Sequence, residues 1–96
     1  MRSRVTQGAV FDAVEAREWY ALQNTARSQR FDEELRRVLE RAKSFPRSGH
    51  PYLAGARRVM LRGFPYFVVY EVRDSALLIV AVAHTSRESG YWIGRD

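Results

Sequence analysis

Apolar and polar positions change rhythm partway along this chain. Between residues 7 and 45, apolar side chains recur every three or four positions; from residue 57 they come in short extended runs. Arg57–Arg62, Tyr66–Val72 and Ala76–Ala83 read as three strands in succession. The first is basic, the second rich in aromatic and β-branched residues, and the third apolar throughout. Gly63-Phe64-Pro65 and Arg73-Asp74-Ser75 separate them with residue types that hairpin connections use. A run apolar on both faces, such as Leu77 to Val82, belongs inside a sheet and not at its edge.

The helical rhythm divides in two. From Gln7 to about Asn24, the residues Ala9, Ala13, Ala16 and Tyr20 form one stripe, which Val10 and Val14 extend to one side. Phe11 and Leu22 fall opposite, among Glu15 and Glu18, where they read equally as ordinary surface residues and as partner contacts. Asp12, Glu15 and Glu18 are expected on the solvent side. Asn24-Thr25 offers a break and an N-cap. A second helix then runs to about Phe45, with Phe31, Leu35, Val38, Leu39, Ala42 and Phe45 in helical register, and Pro46 stops it. Its acids precede its bases, which suits the helix dipole, and Asp32–Arg36 and Glu33–Arg37 are spaced to pair. Arg47–Ala56 has the Gly, Pro and Ser of a loop, and Arg2–Thr6 carries a weak strand signal. The order β-α-α-β-β-β implies an α+β fold: an antiparallel sheet with a helical hairpin packed on one face.

Ninety-six residues suffice for one domain with a modest core, so residues 1–96 are read as a single unit. No run is long enough to span a bilayer, and the basic start is not followed by an apolar signal segment. With no cysteine there is neither a disulfide framework nor thiolate chemistry, and a cytoplasmic location is expected. The formal net charge is +5, and Lys43 is the only lysine among sixteen basic side chains. A GC-rich coding sequence yields that arginine bias. So does a surface that meets an acidic partner, either nucleic acid or acidic peptide.

His50 and His84 are the only histidines and form no paired-ligand motif, so no metal site is expected. No Gly-rich phosphate loop occurs, and no cofactor is implied. The informative group is Arg57, Arg58, Arg62, His84, Arg87, Tyr91 and Trp92. Regular alternation sends Val59 and Leu61 to one face of the sheet and Arg58, Met60 and Arg62 to the other. A meander then lets these segments converge on the face without helices. Arg62, His84, Arg87 and Tyr91 could there supply the proton transfers and positive charge that RNA cleavage needs without metal. The same surface could instead bind an acidic peptide or DNA with no chemistry. Phe11, Leu22, Arg57, Arg58, Arg62 and Trp92 are the candidate partner contacts.

The stretches DAVEAREWY (12–20), RFDEEL (30–35), FP (45–46), GFPYFVVYEV (63–72) and AVAHTSRESGYW (81–92) resemble the RelE/ParE toxin superfamily of bacterial type II toxin–antitoxin systems. The likeness runs through nearly the whole chain in order. It implies a toxin of a plasmid-stabilisation type of module, held by a cognate antitoxin in a hetero-oligomer. RelE-like members cut mRNA on the ribosome with basic residues and often a C-terminal tyrosine; ParE-like members share the fold and poison DNA gyrase. This chain departs from the RelE pattern: its sheet has no lysines, and its tail reads Tyr-Trp-Ile-Gly-Arg. Arg62, Arg87 and Tyr91 are partial counterparts of the nuclease set. The resemblance therefore implies a gyrase inhibitor, with a ribosome-dependent endoribonuclease or a non-toxic binding module as alternatives.

Overall fold

The computed structural model describes residues 1–95. Its elements are β1 (Arg2–Val5), α1 (Gln7–Gln23), α2 (Thr25–Ser44), β2 (His50–Pro51), β3 (Arg57–Met60), β4 (Tyr66–Arg73) and β5 (Ala76–His84). Thr6 caps α1 by accepting the Ala9 N–H at 3.1 Å, and Asn24 caps α2 by accepting that of Arg27 at 3.2 Å. The break between the helices falls where the sequence places it.

The five strands lie in the order β1-β5-β4-β3-β2. The apolar β5 is thus interior, between β1 and β4. β3, β4 and β5 form the expected antiparallel meander, but β1 pairs with β5 in parallel, so the sheet is mixed and not wholly antiparallel. A three-strand meander ends in the direction in which it began, and β1 adds beside its last strand running that same way. The loop after α2 contributes β2, a two-residue edge strand in which Pro51 is tolerated. At the β4–β5 turn, Asp74 and Ser75 both take positive φ (50° and 61°), as a tight two-residue hairpin requires.

Both helices cover one face of the sheet. There Ala9, Ala16, Tyr20, Phe31, Val38 and Ala42 pack on Leu61, Val68, Tyr70, Leu77, Ile79 and Val82. Tyr20, Phe31, Phe64 and Tyr66 form an aromatic cluster whose ring centres lie 5.1–6.2 Å apart, mostly edge to face. The Tyr70 hydroxyl ties the loop after α2 to this core, donating to Pro46 O at 2.8 Å and accepting the Gly49 N–H at 3.0 Å. A Cβ at Gly49 would lie 2.7 Å from that hydroxyl, so glycine is needed there.

The reverse face holds a second cluster: Phe67, Val69, Leu78, Val80, Ala81 and Ala83 under Trp92. A bulge makes this possible. Val69 pairs with Ala81 and Tyr70 with Ile79, leaving Val80 as an extra residue on β5. Val80 and Ala81 both turn to the reverse face, and every residue after them changes side relative to plain alternation.

Several local expectations are corrected. Val10, Val14 and Phe45 are exposed instead of extending the buried stripes. Phe45 lies past the last turn of α2 as its C-cap, beyond the reach of helical register. The ion pairs on α2 are Arg37–Glu34 at 2.7 Å and Lys43–Glu40 at 3.2 Å, both one turn apart, while Asp32 reaches across to Arg17 of α1 at 2.8 Å.

Candidate functional site

Beyond β5 the chain folds back over the reverse face. Trp92 lies beside Tyr52, ring centres 6.0 Å apart, and Tyr52 meets Phe67 edge-on at 5.7 Å. Trp92 is 1% exposed. It is therefore the tail's core residue, packed onto the sheet, and not the surface contact expected of it. The turn Leu53–Gly55 lies next to Tyr52 in the segment that sequence composition marked only as loop.

The tail is locked at its end by Asp12. β5 has nine residues and β1 only four, so the outer edge of β5 from Val80 onward has no strand neighbour among the described residues. Backbone groups on such an edge need other partners. Asp12 accepts the Val82 N–H at 3.1 Å, and Arg95 donates to Val80 O at 3.0 Å. The same Asp12 oxygen takes the Tyr91 hydroxyl at 2.9 Å and Arg95 at 2.8 Å. Its side chain is only 9% exposed. Asp12 is thus no member of a solvated acidic face, as the sequence led us to expect; it is the hub joining α1, the edge of β5 and the tail. A Cβ at Gly8 would collide with the Arg95 guanidinium, so α1 needs glycine there to admit it. One signal for Asp12 was legible: Ala9, Ala13 and Ala16 surround it on the helix surface, which sets it at the margin of the buried stripe.

The four residues considered for RNA cleavage do not assemble. Arg87 and Tyr91 stay together on the reverse face, with the guanidinium 3.9 Å above the phenol ring. His84 lies on the other side of the sheet, paired with Tyr66 and 5.0 Å from its ring, because the bulge at Val80 reverses alternation before it. Its Nδ1 accepts the Ser86 backbone N–H at 3.0 Å. Arg62 sits in the β3–β4 turn against α2, its backbone N–H donating to Glu34 at 2.6 Å. Burial, and next the hydrogen bond to Asp12, push the Tyr91 phenol far above its ordinary pKa. Burial also raises that of Tyr66. Both phenols therefore stay protonated at neutral pH, and Tyr91 offers its proton to a carboxylate of its own chain.

Among the candidate contacts, Arg57 is a structural staple: it donates to Gly49 O at 2.8 Å and Arg47 O at 3.2 Å. Arg58 and Arg62 are exposed. Phe11 and Leu22 are 68% and 86% exposed, on the outer side of α1 as expected. Val10, Val14 and Trp19 are exposed on the same helix, a set the sequence reading did not join together. Phe11, Val14, Trp19 and Leu22 share the outer side of α1 with the exposed Glu15 and Glu18, and large apolar side chains left exposed together on one helix face mark contact surfaces.

The sequence model of the family described as "ParE toxin of type II toxin-antitoxin system, parDE" matches residues 4–89. The chain belongs to this family. Its fold agrees with that of a chain in a solved structure described as "Chromosomal ParDE TA system from P. aeruginosa", with a TM-score of 0.79 over 88% of this chain and 95% of that one, at 15% identity. No curated protein matches the sequence. As a ParE toxin, the chain carries its family's helical hairpin on a sheet, and no helix among its described residues is long and apolar enough to cross a membrane.

Proposed function

We propose that this ParE-family toxin acts in the cytoplasm, as a single domain, by binding DNA gyrase rather than by cleaving mRNA. An antitoxin encoded beside it would hold it inactive in a hetero-oligomer. The observation that carries the reading is the separation of His84 from Arg87 and Tyr91 by the thickness of the sheet. General acid–base cleavage needs its proton carriers within hydrogen-bond reach of one phosphodiester. Here one nitrogen of His84 is engaged by Ser86, and Tyr91 by Asp12. An inhibitor of gyrase needs only a surface, and the exposed apolar residues on the outer side of α1 together with exposed arginines supply one.

The expected outcome is that purified protein blocks gyrase supercoiling and leaves ribosome-bound mRNA intact. Tyr91→Phe should keep most toxicity, at about 1 kcal/mol of stability for the lost hydrogen bond. Primer extension on translating ribosomes decides the matter. A-site cleavage abolished by Tyr91→Phe or His84→Ala would place the protein among the endoribonucleases; absence of both activities, with normal antitoxin binding, would leave a binding module. For the partner, the adjacent gene product should bind in a pull-down and rescue growth on co-expression. Phe11→Ser with Leu22→Ser should weaken that binding while leaving the unfolding midpoint almost unchanged.

A further inference from the structure

We propose that Arg58 and Arg87 form a carboxylate-recognition site on the reverse face of the sheet, an anchor for an acidic side chain of a protein partner. The two arginines line one small cavity of about 80 Å³ floored by Tyr52, Phe67, Tyr91 and Trp92. Each guanidinium is held before any ligand arrives. Arg58 lies 4.7 Å from the Tyr52 ring centre and 5.3 Å from that of Phe67, and Arg87 lies 3.9 Å from that of Tyr91. Among the described residues neither forms an ion pair. Stacking on a ring leaves the N–H edge of the guanidinium free, and that edge matches a carboxylate. Preorientation lowers the entropy lost on binding.

Size and stacking select the ligand class. Pockets for drug-sized ligands run to roughly 300–1,000 Å³, whereas this one admits only a small group. A single-stranded nucleic acid is held by bases stacked on open aromatic faces, and here guanidiniums lie over the rings of Tyr52, Phe67 and Tyr91. Glu88 also lines the cavity, so its three charged side chains sum to a single positive charge, which one carboxylate neutralises. The inference rests on the proposed toxin–antitoxin reading only for the identity of the partner.

The test follows the arginine Nε–Hε signals of the intact chain by NMR, with hexaglutamate as one probe and a thymidine hexanucleotide as the other. Hexaglutamate should shift Arg58 and Arg87 saturably and more than the exposed Arg30 and Arg36, and Arg58→Gln should weaken the response at Arg87 about tenfold. Equal shifts at all four arginines would overturn the site, and a stronger response to the oligonucleotide would replace the carboxylate with a phosphate. In parallel, Arg58→Gln and Arg87→Gln should each raise the Kd for the co-encoded antitoxin about tenfold, against less than twofold for Arg30→Gln. An antitoxin that fails to bind the unmodified chain would refute the toxin–antitoxin reading while leaving the hexaglutamate result to decide the site.

Discussion

Removing the Asp12 carboxylate tests whether the tail is locked to α1 as the structure shows. Asp12→Ala takes one acceptor away from three donors: Val82 N–H at 3.1 Å, the Tyr91 hydroxyl at 2.9 Å and Arg95 at 2.8 Å. Breaking a fully buried ion pair costs about 3–5 kcal/mol. That figure is too high here, because the Arg95 side chain is 24% exposed and keeps its bond to Val80 O at 3.0 Å. The orphaned Val82 N–H adds about 1 kcal/mol, while water can reach the half-buried Tyr91. The net loss should be about 3 kcal/mol, a large part of the ~5–15 kcal/mol that holds a domain folded. For a chain of this length that lowers Tm by roughly 10–20 °C. Urea unfolding followed by tryptophan fluorescence reads the tail, since Trp92 is buried within it whereas Trp19 on α1 is already exposed in the folded chain, and far-UV circular dichroism reads the helices. Asp12→Asn keeps one acceptor and should lose about half as much, and the Asp12→Ala/Arg95→Ala cycle should show about 1–3 kcal/mol of coupling. A change below about 0.5 kcal/mol for Asp12→Ala would mean that Asp12 is an ordinary surface residue, and the account of the tail would be wrong.

Phe31 is fully buried among Tyr20, Phe64 and Tyr66, so Phe31→Ala should cost about 3–5 kcal/mol in chemical denaturation. Leu35 is only partly buried against the same cluster, and Leu35→Ala should sit near the lower end of the ~2–5 kcal/mol range for such truncations; an unmoved midpoint would show that α2 is not seated there. Ser75→Gly should stabilise the chain by about 0.5 kcal/mol, since relief of the positive φ outweighs the added backbone entropy; a loss of stability would contradict the turn geometry. The hydrogen bond from Arg37 holds the Glu34 carboxyl below its ordinary pKa. A depressed folded-state pKa contributes stability above the unfolded value, and that contribution is lost as pH falls through the folded one. The stability gap between wild type and Glu34→Gln should accordingly be constant near neutrality and shrink below about pH 4; a gap independent of pH would count against the pairing.

Local periodicity determined much of this protein from its sequence alone. Ala9, Ala16 and Tyr20, and likewise Phe31, Val38 and Ala42, repeat on one side of their helices because contacts three and four residues apart are set by helix geometry. The apolar run of β5 announced an interior strand for a similar reason. The exposed Phe11 and Leu22 were legible too, since opposition to a buried stripe is a property of a single helix. What depended on distant contacts was not legible. Asp12 meets Val82, Tyr91 and Arg95 across 70 to 83 positions. Its environment comes from a strand edge left open by the shortness of β1, which no local pattern records. Trp92 looked like a surface aromatic until the tail folded over Phe67 and Tyr52. The face taken by His84 turns on one inserted residue. With strict alternation from Leu77, His84 would join Arg87 and Tyr91 on the reverse face, and the bulge at Val80 sends it to the helix side. Strand period is two, so a single extra residue reverses every side chain that follows, and only the paired sheet shows where that residue lies.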